Sequence, residues 1–294
     1  MNRCALQAPT LSDIKRVRRL HYEALGRYPD LLRPRRFSEK IQWRKLFDLN
    51  PVYAVLADKI AAREFIAARV GAGYLPEMLW TGEQPEDIPF DTLEPPYILK
   101  CNHGSTFNII VSDNAEIDRA AIREKLREWL AMDYGTIFHE PAYFSVKPQL
   151  LAERMLLGPD GTPSTEHKFF TFDGTARAIH SVSVNRDRER FDSFHDRDWR
   201  RLDWRGINPP VERELERPAN FDGLLTLAEA LGAGFDHMRV DLYDWRGEPR
   251  IGELTPYNFS GLSEFQPDQA ELMLGSWWRL RFPLSRALIA MLGY

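Results

Sequence analysis

Met238, Val240 and Leu242 alternate with Arg239, Asp241 and Tyr243, a period-two pattern that predicts a half-buried strand. A polar turn at Gly247 follows. The chain then resumes as Arg250-Ile-Gly-Glu-Leu-Thr255 with Ile251, Glu253 and Thr255 on one side, so the whole stretch reads as a β-hairpin. An odd-numbered loop, for instance Arg246-Gly247-Glu248, sets Asp241 opposite Glu253 on one face. A second hairpin is read in His167–Phe172 and Ala176–Ser183, joined by Asp173-Gly174. Between them Asn220 is placed to cap a helix carrying Leu224, Leu225, Leu227, Ala228 and Leu231, ended by Gly232 and Gly234.

The first half of the chain reads as helical before it turns to strands. Ser12 is the expected cap of a helix burying Ile14, Val17, Leu20 and Ala24, and Ser38 of a second helix ending at Phe47. Pro51 opens a third that carries Val55, Leu56, Lys59, Ile60, Arg63, Phe65 and Ile66 until Gly71 and Gly73. Residues 75–96 are rich in Pro, Asp and Glu and read as a connector. Tyr97–Lys100 is a short strand, Cys101–Thr106 a tight turn and Phe107–Ser112 another strand. Asp118 then caps an amphipathic helix with Ile122, Leu126, Trp129 and Leu130 inward. Gln149–Leu157 is apolar except for Glu153 and Arg154, whereas residues 191–219 show few regular patterns.

Composition narrows the class. The 294 residues are 44% hydrophobic and 28% charged, ordinary for a folded chain with room for two lobes. Lys plus Arg number 39 against 43 for Asp plus Glu, so the net charge of −4 gives no electrostatic case for nucleic acid. Cys4 and Cys101 cannot make a disulfide framework, and a reducing cytoplasm is the expected home. No signal-like apolar core and no run of about 18 apolar residues is present. The apolar and basic tail Trp278–Tyr294 reads either as a closing helix or as a peripheral membrane contact.

Two carboxylates directly across a ladder repel, so Asp241 and Glu253 need compensation. Water, Arg239 or Arg250 would provide it, or else a hard cation such as Mg²⁺ with Thr255 and Asn258 as further oxygen donors. Lys100 ends its strand beside a loop whose Gly104 and Ser105 can turn backbone N–H groups toward phosphate, although this is not a Walker-type loop. His103 stands alone and reads as a hydrogen-bonded loop residue. Glu153, an acid inside an apolar run, requires a partner. Lys59 and Arg63 share one helical stripe.

Taken together in order, Phe37-Ser-Glu-Lys-Ile-Gln-Trp43, Ala57-Asp-Lys59, Ile98-Leu-Lys-Cys-Asn-His-Gly-Ser105, His167–Gly174, Arg239-Val-Asp-Leu-Tyr243 and Gly252-Glu-Leu-Thr255 resemble the TupA-type ATP-grasp family of teichuronopeptide and cell-surface polysaccharide biosynthesis. The resemblance implies an α/β (α+β) ATP-grasp fold. It divides into a helical accessory segment (1–94), a small nucleotide-covering lobe (95–158) and a large metal-binding lobe with a C-terminal helical tail (159–294). It implies ATP held by Lys59, Lys100, Asn102, His103, Gly104, Ser105, Thr106 and Lys168, with Glu153 to Leu156, Met155 included, against adenine. Asp241 and Glu253 would hold Mg²⁺ or Mn²⁺, completed by Thr255 or Asn258. Lys100, Arg239, Asp241 and Glu253 would carry the chemistry, an acylphosphate formed from a carboxylate and captured by an amine. An amino acid and a glycan precursor would be the substrates.

Arg239, with Arg186 and Arg188, is a candidate to bind the carboxylate, or Arg239 simply pairs with Asp241 or Glu253. Two departures stand out: Thr255 where many ATP-grasp enzymes have Asn, and Thr106-Phe107 where the family more often has Gly and Trp. The alternatives to a ligase are a nucleotide-binding partner protein without turnover and a glycan transferase.

Overall fold

A computed structural model describes residues 9–158 and 160–281. Helix α1 (Leu11–Leu25) is capped by Thr10 and not by Ser12. The Asp13 N–H donates to Thr10 Oγ1 at 3.2 Å while the Thr10 N–H donates to Asp13 Oδ2 at 2.8 Å, a reciprocal box that Ser12 could not form. Helix α2 (Phe37–Phe47) already contains Ser38, and its free N–H groups are met instead by carboxylates: Glu39 accepts from Arg35 and Arg36, and Glu271 from Ser38. The expected third helix is two, α3 (Val52–Ala57) and α4 (Ala61–Val70). Asp58 Oδ1 breaks it by accepting from the N–H groups of Ile60 and Ala61, which leaves Lys59 in a turn.

Two antiparallel sheets follow. Strands β1 (Met78–Gly82), β2 (Tyr97–Cys101), β3 (Asn108–Val111) and β4 (Leu150–Arg154) assemble in the order β1-β4-β2-β3. β1 lies in the stretch expected to be a connector, since five residues between prolines give too short a period to read. On β2, Tyr97, Leu99 and Cys101 enter a core shared with Ile122 and Leu126 of α5 (Arg119–Leu130), so Ile98 and Lys100 face the other way. Asp118 caps α5 as expected, and the short α6 (Tyr134–Phe138) follows. Burial pushes the free Cys101 thiol up to about 12.

The larger sheet runs β7-β6-β5-β8-β9, built from β5 (Glu166–Phe172), β6 (Thr175–Val184), β7 (Arg190–Asp196), β8 (His237–Trp245) and β9 (Glu248–Thr255). β7 falls where no pattern is legible because Asp192, Ser193 and His195 are buried polar residues. Helix α7 (Phe221–Gly232), capped by Asn220, covers one face, and α8 (Asp268–Trp277) closes the described chain. The same core takes in Phe37, Ile41, Tyr53 and Leu56, so α2 and α3 are built into the larger unit and are not an appendage to it. Most of the tail, residues 282–294, and Cys4 lie outside the described residues. No described helix is long and apolar enough to cross a membrane.

The hairpin β8–β9 reaches the expected register by another route. Its turn is only Arg246-Gly247, both with positive φ (57° and 82°), as a two-residue turn requires. Trp245 to Leu242 pair with Glu248 to Ile251, and then the ladder slips by one so that Asp241 faces Glu253. Gly252 is the extra residue, a β-bulge. A Cβ there would sit 2.9 Å from the Tyr243 ring and 3.3 Å from the Asp241 carbonyl oxygen.

Candidate active site

Residues opposite one another in an antiparallel ladder share a face. His180, Lys168, Asp241 and Glu253 therefore form one row across β6, β5, β8 and β9. Asp241 is fully buried and receives three charge-assisted bonds. Lys168 Nζ lies 2.9 Å from Oδ2, and the Arg239 guanidinium reaches Oδ1 and Oδ2 at 2.8 and 2.7 Å. Burial pushes its pKa up, but Arg239 and Lys168 outweigh that and hold the carboxyl below the usual range. Arg239 is thus paired with Asp241, and its remaining N–H groups reach Asn258 Oδ1 at 2.8 Å and Thr255 Oγ1 at 3.0 Å. Glu253 Oε1 accepts from Thr255 Oγ1 at 3.0 Å, and among the described residues no cation lies within ion-pair distance of it.

The smaller sheet presents a second cluster. Glu153 of β4 and Lys100 of β2 share a face, with Lys100 Nζ 2.6 Å from Glu153 Oε2 and Arg63 Nη1 2.8 Å from Oε1. The partner that the sequence demanded for Glu153 is therefore double. Burial raises the Glu153 carboxyl, and Lys100 first and then Arg63 bring it below its ordinary value.

Lys59 joins the two clusters. Its Nζ donates to the Gly104 carbonyl at 2.6 Å, burial lowers its pKa, and Glu253, Lys100 and Glu153 all act on its charge. Tyr243 of β8 likewise feels both Asp241 and Glu153. Charges from both sheets, Glu253 of β9 and Lys100 with Glu153 of the smaller sheet, thus act on Lys59.

The loop between β2 and β3 is pinned from beneath. Asn102, fully buried, donates to Asp58 Oδ1 (2.9 Å) and the Lys147 carbonyl (3.0 Å) and accepts from the Gln149 N–H (2.7 Å). Its amide therefore fixes the loop, and Lys59 N–H adds a bond to its carbonyl at 3.0 Å. Gly104 has φ +84°, and a Cβ there would lie 2.8 Å from the rings of Phe107 and Tyr134. Ser105 and Thr106 are exposed at the tip, with Thr106 at φ 65°. His103 turns inward. Beyond β4 the Met155 N–H is taken by the Pro96 carbonyl and the Leu156 carbonyl accepts from Ser164.

A family model described as TupA-like ATPgrasp matches residues 39–279. The chain belongs to the TupA-like ATP-grasp family. Its mixed helices and two antiparallel sheets are the ATP-grasp fold. Among solved structures, it is similar to an L-amino acid ligase from Bacillus licheniformis (16% identity, 82% of this chain and 48% of that one, TM-score 0.43). It is also similar to a D-alanine–D-alanine ligase from Bacillus anthracis (20% identity, 80% and 68%, TM-score 0.45). A third is the ATP-grasp ligase PsnB in complex with a minimal precursor, Mg and ADP (15% identity, 87% and 66%, TM-score 0.41). The chain spans about half the length of the first of these. Among curated protein sequences none matches it.

In this ATP-grasp chain the donors around Glu253 are hard oxygens, which suit Mg²⁺. Among the described residues, however, no group of three or more His, Cys, Asp or Glu is arranged to hold a metal. Glu253 is the open ligand, while Asp241, Thr255 and Asn258 are engaged by Arg239. A metal there would be held by Glu253, with Asp241 sharing an oxygen. Sequence reasoning did not include Arg63 or Glu166 in the site. Glu166 Oε2 lies 2.6 Å from Lys168 Nζ and its Oε1 accepts from the Tyr243 hydroxyl at 3.2 Å. The signal was available: Glu166 and Lys168 are two apart on one strand and so share a face.

Proposed function

We propose that this protein is an ATP- and Mg²⁺-dependent carboxylate–amine ligase, forming an amide through an acylphosphate. The observation that carries the reading is the convergence on Lys59 of Glu253 from one sheet and of Lys100 with Glu153 from the other. Family membership supports it. Lys59 and Lys100 would take the phosphate oxygens, Lys100 exchanging Glu153 for phosphate. Arg239 and Lys168, anchored on Asp241, keep positive charge on the face where the phosphoryl group and the acyl oxygen gain negative charge. Mg²⁺, when bound, supplies the remaining charge neutralisation. No protein nucleophile is needed.

By the family resemblance, the product is a cell-surface polysaccharide precursor carrying an amide-linked amino acid, made in the cytoplasm where ATP is supplied. Incubation with ATP, Mg²⁺ and panels of acids and amines tests the reading: ADP and phosphate should appear only when both co-substrates are present. One observation favours a second reading, a nucleotide-binding partner without turnover, since Asp241 is already neutralised by two cations. ATP binding without ADP release from any acid–amine pair would select it. Consumption of a sugar nucleotide instead would select a glycan transferase.

A further inference from the structure

Helix α2 contains the whole Phe37–Trp43 run and is buried on nearly all sides, polar residues included. Gln42, Arg44 and Lys45 are fully buried. Buried polar side chains need partners, and all three find some of theirs in one stretch just beyond β9. Arg44 Nη1 donates to the Pro256 carbonyl at 2.9 Å and Lys45 Nζ to Ser260 Oγ at 2.6 Å. Gln42 Nε2 donates twice, to the carbonyls of Ser260 at 2.9 Å and Gly261 at 2.7 Å. The helix lies so close that a Cβ on Gly261 would sit 2.9 Å from the Ser38 carbonyl oxygen and 3.0 Å from Ile41 Cβ.

The stretch so held is strained. Phe259, Ser260 and Gly261 have φ of 46°, 57° and 62°, left-handed residues in succession of which only the last is glycine. Such a backbone persists where its surroundings over-determine it. The residue that opens this turn is Asn258, buried, whose Oδ1 accepts from Arg239 Nη1 at 2.8 Å, and the Phe259 ring lies 6.0 Å from the Arg239 guanidinium carbon. A guanidinium has five N–H groups. Asp241 takes two, Thr255 a third and Asn258 a fourth, which among the described residues leaves one N–H of Nη1. Because the guanidinium is planar, the acceptor taken by one N–H of Nη1 fixes the direction of the other.

We infer that Gln42 is a positioning residue for the carboxylate substrate: by holding the Ser260 and Gly261 carbonyls it fixes the left-handed turn, and through Asn258 it aims the remaining Arg239 N–H at a carboxylate oxygen. This rests on the ligase reading above. It gives the Phe37–Trp43 run a task in the reaction.

Gln42→Met keeps the length of the side chain and removes both donors. In the full chain with isotope-labelled arginine, the Nη1 signals of Arg239, identified by their loss in Arg239→Lys, should move, while its Nε signal, fixed by Asp241, should stay. Gly261→Ala, whose added methyl meets Gln42 Nε2 and the Ser38 carbonyl, should give the same pattern and replaces Gln42→Met if that variant does not fold. Unchanged Arg239 signals in the variant that folds, whatever its melting temperature, would overturn the assignment. Turnover gives a second readout. With the acid–amine pair that releases ADP, Gln42→Met should raise the KM of the acid about tenfold and leave the KM of ATP within about twofold. In an Asn258→Ala background the same change should add less than about twofold, because both act through one contact. A fall in kcat with the acid's KM unchanged, or full additivity in the double variant, would mark Gln42 as structural only. Movement of the Arg239 signals with no ADP from any pair would keep the positioning and discard the ligase.

Discussion

The two sheets carry the same charge motif, one carboxylate held by two cations, in different surroundings. On the larger sheet Asp241 sits between Arg239 and Lys168 with side-chain exposures of 1%, 8% and 10%. On the smaller, Glu153 sits between Lys100 and Arg63 at 11%, 19% and 19%. The contrast separates a fixed framework from an exchangeable one. Removing either partner of the inner group strands a charge in the protein interior, whereas the outer group has water at hand and can trade a carboxylate for a phosphate.

The largest expected effect therefore follows Asp241→Ala. Leaving Arg239 without its carboxylate, and Lys168 with Glu166 alone, should cost about 3–5 kcal/mol in urea unfolding and abolish turnover; a loss below about 1 kcal/mol would make the two clusters equivalent. Glu253→Gln comes next. Turnover should fall on the order of 100-fold, with stability changed by less than about 0.5 kcal/mol because Glu253 has a single hydrogen bond to lose. An equal effect on folding would show it to be framework. Third, Lys100→Ala should weaken ATP binding by about 10- to 100-fold, the worth of one charge-assisted hydrogen bond, measured by calorimetry.

The smallest effect is in pH. Glu153 and Asp241 both have folded pKa values below their ordinary ones. Their contribution is thus complete above the unfolded values, near 4, and is lost as pH falls through the depressed folded values. Melting temperature should be level from about pH 5 to 7 on this account and drop below, with a shallower drop in Glu153→Gln. A loss on raising the pH instead would reverse the sign.

Much of this was legible in the chain because it rests on local patterns. The alternation in β8, the Asp173-Gly174 turn and the caps at Asp118 and Asn220 all depend on neighbours in sequence. What was not legible depends on distant partners. β7 hides because Asp192, Ser193 and His195 on it are buried polar residues, and Asp192 is met from another strand, its Oδ1 2.8 Å from Nε2 of His180 on β6. The break at Lys59 depends on Asp58, whose carboxylate also holds Asn102, 44 residues away. The pairing of Arg239 with Asp241 is one of two readings open from spacing, and the bidentate contact between them decides it.

The bulge at Gly252 bears on how this protein tolerates change in length. Because the phase of the two acids is set near the base of the hairpin, extra residues spliced into its Arg246-Gly247 tip would lengthen the ribbon without rotating the acids. Deleting Gly252 alone would leave Glu253 next after Ile251 and still opposite Asp241, so only the local bend would go. Homologous chains should therefore vary in size at the tip while keeping the two acids opposite one another.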